Sequence, residues 1–397
     1  MRLYSRVEHF GSVVFNPQSG KYFELGEAET SALEAVFNNK GDTLEPATQF
    51  LLEKVLGANG VALNSVKIVR IENSRARPDV LSVPFKAFFN ITKKCNLFCT
   101  HCYNDSGYRN SPELEIEHVN RTMLELQNRG IFKVTISGGE PLFHSHISEI
   151  LEFVRDLDLV VSLITNGIPI TRSLAKRISE TQNLKSVTVS IDGATAQEND
   201  VVRGDGSFKA ALQGLRVLRE HYRGKVAVRI TLMKTNLACI YEFPRLLSDL
   251  GIDELKVNRV NPYGRAFNNE SVLLPESEYR EVRDKLYEEA MGAGIRMEVP
   301  SFKYQVDPSG LVGLCRAGEE SFEIDGDGSV YPCSFSFGRF LAGNVKNRDY
   351  TSIFHNLQLH SINNEHCYSC RGRGGKGEKP IGYVPKLVEL RRSATLS

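Results

Sequence analysis

Residues 85–103, Phe-Lys-Ala-Phe-Phe-Asn-Ile-Thr-Lys-Lys-Cys-Asn-Leu-Phe-Cys-Thr-His-Cys-Tyr, decide the reading of the chain. An apolar, β-prone run, Lys86 to Thr92, stops at two lysines and opens into a loop with cysteines at 95, 99 and 102. Further β-prone runs follow at Lys133 to Ser137, Val160 to Thr165, Ser186 to Ser190, Lys225 to Met233 and Glu254 to Val260, separated by stretches of helical apolar spacing. Strands alternating with helices predict parallel βα units. Six of them predict an open or partial (β/α)6 barrel over residues 85–300, in which reacting groups sit at the carboxyl ends of the strands. The cysteine loop occupies such an end. Three thiolates spaced CxxxCxxC can hold three irons of a cubane and leave the fourth iron open to a small molecule. A zinc site, with His101 as a further ligand, and plain surface thiols are the competing readings.

A second motif lies at the end of the second barrel strand, Val134-Thr135-Ile136-Ser137-Gly138-Gly139-Glu140-Pro141. Glycines there let a ligand approach exposed backbone, and Glu140 is placed to meet a cation. An ordinary strand-ending turn is the alternative.

Composition bounds the rest. The chain has 397 residues, 41% hydrophobic and 24% charged, and 49 Lys plus Arg balance 48 Asp plus Glu to a net charge of +1. Without a broad field of one sign, neither nucleic acid nor an anionic membrane is an expected partner. The first residues, Met1-Arg2-Leu3-Tyr4-Ser5-Arg6, meet charge before any apolar stretch, and no segment approaches the roughly 20 apolar residues of a membrane span. A cytoplasmic location is expected. In a reducing compartment, eight cysteines clustered at short spacings read as metal ligands, not disulfides.

A second set of cysteines, Cys315, Cys333, Cys367 and Cys370, lies toward the carboxyl end, over an expected domain at 310–385. Asp325-Gly326-Asp327-Gly328 reads as a hairpin turn leading to Cys333, and Cys367 and Cys370 form a CxxC pair. Four thiols gathered this way satisfy a cluster or a zinc ion completely. Cys239 stands alone; a buried core thiol is the simplest reading, and a catalytic hydrogen-atom donor at a barrel strand end the sharper one. At the other end, residues 11–15 and 21–25 flank a turn-rich linker and predict a hairpin. Helical spacing over Glu29 to Phe37 and Thr43 to Leu56 completes a module over 1–75, and Ile71 to Pro84 reads as a polar linker.

The CxxxCxxC and GGEP motifs, in this order and at this separation, resemble the radical S-adenosylmethionine (SAM) superfamily over about residues 85–265. That resemblance implies a [4Fe-4S] cluster on Cys95, Cys99 and Cys102, and adenine against Tyr103. It places the SAM amino group on Gly138, Gly139, Glu140 and Pro141. It also draws in Asn166, Ser190, Asp192 and Arg203, with Ser190 toward the ribose and Arg203 toward the carboxylate. The activity implied is reductive cleavage of SAM to a 5′-deoxyadenosyl radical, with a reductant such as flavodoxin or ferredoxin. The carboxyl-terminal cysteines resemble the SPASM/twitch extension of peptide-modifying members and imply auxiliary iron–sulfur chemistry. Full SPASM tails carry more cysteines after the CxxC and none follows Cys370, so one auxiliary [4Fe-4S] cluster is expected. The front module resembles a winged-helix-like α+β peptide-recognition domain, which binds a leader peptide as an added strand. Together these imply a maturase that crosslinks or epimerises a ribosomally made precursor peptide. Action on a small molecule or on another enzyme, and a non-catalytic metal-bound scaffold, remain as alternatives.

Overall fold

In the computed structural model, residues 2–37, 67–74, 80–107, 111–267, 269–298, 317–336 and 340–362 are described, with isolated positions between 46 and 57. The chain begins with three strands, β1 (Arg2–Glu8), β2 (Gly11–Asn16) and β3 (Lys21–Gly26), then helix α1 (Glu27–Phe37) and strand β4 (Lys67–Ile71). They form a four-stranded sheet ordered β3-β2-β1-β4, antiparallel except for the parallel β1–β4 pair. The expected hairpin is β2–β3. Its turn is held by Asn16, whose side-chain oxygen accepts from the Gln18 and Ser19 amides. Two strands escaped the sequence reading. In β1, Arg2 stays exposed, while Arg6 and Glu8 form a buried pair at 2.7 Å. Arg6 also donates to the Pro84 and Gly130 carbonyls, and Glu8 accepts from Ser82. The stretch read as a polar linker is therefore buried at Val80, Leu81, Ser82 and Val83. The helix expected over Thr43 to Leu56 falls almost wholly outside the described residues.

The six expected barrel strands are all present: β5 (Lys86–Thr92), β6 (Lys133–Gly138), β7 (Val160–Thr165), β8 (Leu184–Ser190), β9 (Lys225–Leu232) and β10 (Glu254–Arg259). A short seventh, β11 (Arg296–Glu298), follows them. Between them run α2 (Ile116–Asn128), α3 (Ile147–Arg155), α4 (Arg172–Glu180), α5 (Ala196–Arg203), α6 (Ser207–His221), α7 (Phe243–Asp249) and α8 (Glu276–Gly292). All seven strands are parallel, and the sheet runs β11-β10-β9-β8-β7-β6-β5. Each strand buries alternate aliphatic residues, such as Val226, Val228 and Ile230 of β9, in the core shared with the helices. Helices present matching stripes; α3 buries Ile147, Ile150, Leu151 and Val154. Each such side chain contributes about 1.5–3 kcal/mol. The other face of the strands is concave and polar, with Asn90, Thr135, Thr188, Ser190, Arg229 and Lys256 at the alternate positions.

The sheet does not close into a barrel, because β5 pairs on its free side with a strand from the carboxyl-terminal region. That region contains β12 (Ser321–Ile324), β13 (Ser329–Tyr331), β14 (Gly343–Asn344) and α9 (Tyr350–Ile362). β12 is parallel to β5, with Glu323 opposite Phe88, and β13 and β14 continue antiparallel. The expected Asp325–Gly328 turn is present; Gly328 donates to the Asp325 carbonyl at 2.8 Å with φ of +89°. One hydrophobic core runs from Tyr4 and Phe15 through the parallel strands to Phe322 and Leu357.

Candidate active site

The β5 strand delivers Cys95, Cys99 and Cys102 to the carboxyl end of the sheet on a loop that many contacts hold. Lys94 pairs with Glu113 at 2.9 Å, and Thr92 donates to the same carboxylate at 3.1 Å. None of the three thiols is in a disulfide. The Leu97 amide points at the Cys95 sulfur at 3.4 Å and the Ser106 amide at the Cys102 sulfur at 3.5 Å. Asn166 lies 3.9 Å from the Cys95 sulfur and donates to Asn96 at 2.7 Å. Burial pushes the Cys95 thiol up to about 12 and raises that of Cys99. Such thiols ionise when a metal displaces their protons.

Gly138 and Gly139 have a structural duty in the fold. A Cβ on Gly138 would stand 2.3 Å from the Thr92 carbonyl oxygen, and one on Gly139 would stand 2.4 Å from that of Lys94. The glycines thus admit the backbone of the cysteine loop, which they hydrogen-bond: Gly139 to Thr92 at 2.8 Å and Glu140 to Lys94 at 2.9 Å. The Glu140 carboxylate is fully buried. It accepts from Leu142 N, Thr165 Oγ1 and Asn166 N at 3.0, 2.7 and 2.6 Å. It straps the ends of β6 and β7 together, and burial raises it to about 7. Pro141 begins the short turn that Glu140 caps.

At the end of β8, Ser190 is half-buried on the concave face. Asp192, just beyond, is enclosed and fully engaged: it pairs with Arg203 at 2.7 Å and accepts from the Thr231 amide at 2.8 Å. Its backbone amide donates to Asn199. Asp192 therefore holds Arg203, whose charge lies near enough to Cys99 to favour its thiolate. His101 is 3.5 Å from the same carboxylate, and burial lowers it to about 4, so it is a neutral imidazole.

The carboxyl-terminal region closes the site from the β5 side. The Tyr103 hydroxyl donates to Glu323 of β12 at 3.4 Å, and its ring meets Phe335 at 6.1 Å. Glu323 also accepts from Asn90 at 2.6 Å, and burial raises it to about 7. Asp325 pairs with Lys93 at 2.8 Å, fastening the turn to the root of the cysteine loop. Cys333 follows β13, its carbonyl accepting from Ser336; Cys315, Cys367 and Cys370 lie outside the described residues.

Sequence reading missed Arg265, which clasps the cysteine loop. Its side chain donates to the Cys99 carbonyl at 2.7 Å and the Ser106 carbonyl at 2.6 Å, pairs with Asp105 at 3.0 Å, and lies 3.8 Å over the Phe98 ring. Its amide donates to the Cys102 carbonyl at 3.0 Å. A Cβ on the preceding Gly264 would come within 2.2 Å of that oxygen. The only signal in the sequence was a glycine–arginine pair after the sixth barrel strand. Cys239, simplest as a core thiol, is instead half-buried in a loop beyond β9, where its amide donates to Glu198. No contact joins it to the three clustered cysteines.

Among the described residues, no three His, Cys, Asp or Glu side chains converge closely enough to hold one metal ion. A cubane asks for something else, one thiolate for each of three separate irons. Cys95, Cys99 and Cys102 meet that requirement, with amides already aimed at two of the sulfurs.

Comparison with known proteins agrees. The radical SAM superfamily pattern matches residues 89–247, and that of an iron–sulfur cluster-binding domain, SPASM, matches 315–371. The chain is 32% identical over 272 residues to the mycofactocin maturase MftC of Mycobacterium tuberculosis, across 67% of this chain and 68% of that protein. It is 25% identical over 309 residues to the subtilosin biosynthesis protein AlbA of Bacillus subtilis, across 76% of this chain and 67% of that one. The crystal structure of Streptococcus suis SuiB bound to precursor peptide SuiA shares the fold, with TM-score 0.69 and 18% identity, across 89% of this chain and 87% of that one. The chain belongs to the radical SAM superfamily: it is an enzyme of the SPASM-bearing branch, which uses a [4Fe-4S] cluster with SAM and an auxiliary iron–sulfur cluster.

Proposed function

We propose that this enzyme modifies a ribosomally made precursor peptide, forming a thioether or carbon–carbon crosslink or an epimerised residue. The observation that carries the reading is the front sheet. Its order leaves β3 at an edge, with five of its six residues half-buried or exposed, as strand addition of a leader peptide requires. The likeness to a mycofactocin maturase and to a peptide-bound maturation enzyme supports it.

Cys95, Cys99 and Cys102 would hold the cluster that, with SAM and an electron from a flavodoxin- or ferredoxin-type reductant, supplies the 5′-deoxyadenosyl radical. The chain's own residues position and shield. Arg265 and the Gly138–Gly139 backbone fix the cysteine loop. Arg203, held by Asp192, would take the SAM carboxylate and Ser190 the ribose, and Asn166 sits beside Cys95. Tyr103, propped by Glu323 and Phe335, offers its ring to the adenine. The β12 strand and its turn exclude water from the β5 side. We assign Cys239 no part, because its thiol touches none of these groups.

The test is a search for a short reading frame beside the gene, then co-expression with the peptide it encodes and mass spectrometry. A loss of two hydrogens indicates a crosslink; solvent deuterium uptake at unchanged composition indicates epimerisation. An unmodified peptide from an enzyme that cleaves SAM would overturn the reading.

A further inference from the structure

We propose that the concave face of the sheet carries a carboxylate-binding subsite centred on Arg229, with Lys256 beside it in the next strand, which anchors an acidic group of the substrate peptide. This rests on the peptide-modifying reading above.

Parallel register aligns Ser190, Arg229, Lys256 and Glu298 in one row across β8, β9, β10 and β11. Residues so aligned share a face. The neighbours of Arg229 in its own strand, Val228 and Ile230, belong to the helix-facing core, so Arg229 looks the other way, onto the concave face. The Glu298 carboxylate, two strands away in the same row, lies near enough to favour its charge.

What singles it out is the lack of a partner. Arg6, Arg203 and Arg265 are each ion-paired or bonded to carbonyls. Among the described residues the Arg229 side chain makes no hydrogen bond or ion pair, and its Nε is sealed from water with nothing to donate to. Withdrawal from water lowers its pKa. Arg229 is half-buried, and a guanidinium N–H sealed from water without an acceptor is costly; an incoming anion would offset that cost.

The surroundings select a negative ligand. Lys86 has no ion pair among the described residues; its ammonium rests 4.2 Å from the centre of the Phe88 ring. The nearby acids are engaged: Glu298 with Lys256 at 3.2 Å, and Glu254 with Lys225 at 2.6 Å and Arg296 at 3.1 Å. A planar carboxylate suits the fork of Arg229. The resemblance gives the SAM carboxylate to Arg203 instead, which leaves this cation for the peptide. Since Arg229 stands level with Ser190, the anchored acid would set which residue of the peptide meets the radical.

The test uses the reconstituted full-length enzyme. Glutarate, compared with chloride at equal ionic strength, should raise the Tm of the wild type by about 2 °C or more and leave that of Arg229→Gln unmoved. Equal shifts in both proteins, or none in either, would overturn the subsite. With the peptide as substrate, Arg229→Gln should raise its KM about 10- to 100-fold, the span of lost charge-assisted hydrogen bonds, and Arg229→Lys less. Replacing the peptide's acidic side chains by amides, or amidating its carboxyl terminus, should reproduce that rise with the wild type and add nothing to the variant. Whichever change does so names the source of the carboxylate. An unchanged peptide KM, or a rise in the KM for SAM instead, also contradicts the subsite. A wild type that modifies no peptide yet shows the glutarate shift would sink the maturase reading and support the subsite.

Discussion

Arg265 does for the cysteine loop what no residue within it can. Three loop carbonyls converge on its guanidinium and amide, so its fork fixes the path between Cys99 and Ser106. Arg265→Ala should weaken iron retention after reconstitution and destabilise the fold by about 3 kcal/mol, from two lost charge-assisted bonds and a cation–π contact. Arg265→Lys, which keeps the charge without the fork, should fall between. Iron content and denaturant melts measure both. Lys86 makes a second prediction, through pH. Burial first, then Lys256, Arg229 and Lys133 lower it to about 8 against Glu298, which raises it. Below about 8 the folded protein carries a costly ammonium. Between there and 10.5 the unfolded chain holds a proton that the folded one has released, so stability from this group rises with pH. Lys86→Met should therefore be more stable at pH 7 by up to about 3 kcal/mol, with the gap closing as pH rises toward 10.5. A gap that widens with pH in urea melts contradicts the assignment.

At the level of elements, the meeting of β5, β6 and β12 makes the site. The β6 glycines admit the cysteine loop, and β12 brings Glu323 to Tyr103. Gly139→Ala drives a Cβ into two carbonyls, at 2.4 and 2.7 Å. Backbone cannot move aside as a flexible side chain does, so the loop should shift, with reduced iron content and a Tm lower by several degrees. The six barrel strands and the CxxxCxxC and GGEP loops were legible in the sequence because each is a local pattern, a period or a spacing. Arg265, Glu323 and Arg229 were not, since their meaning depends on which distant strand lies beside them. Arg229 and Lys256 did leave a trace: a charge on alternate positions of an aliphatic strand marks a polar concave face. β1 was missed for a related reason, as its paired charges Arg6 and Glu8 are buried through hydrogen bonds to residues more than 70 positions away.

In the molecule as a whole, the front sheet and the site occupy opposite ends of the parallel strands. Tyr4, Phe15 and Tyr22 gather around Phe132 at the start of β6, with Phe15 stacked on it at 4.4 Å, while the cysteines lie beyond the end of β5. The Tyr22 hydroxyl bridges the Phe85 carbonyl and the Phe132 amide. Phe132→Ala should cost about 3–5 kcal/mol and loosen both parts together, seen as a single earlier transition in thermal unfolding; two separate transitions contradict a shared core. A leader held at β3 would then have to pass its core region around the sheet to reach the concave face. The central claim, a radical enzyme whose chemistry starts at Cys95, Cys99 and Cys102 and ends on a peptide, meets its most direct test in 5′-deoxyadenosine. The product is counted with reductant, SAM and a candidate precursor peptide, for wild type and for the variant with all three cysteines changed to alanine. The wild type should form 5′-deoxyadenosine in step with peptide modification, and the variant should form none. No product from the reconstituted wild type, or equal product from both, would contradict the account.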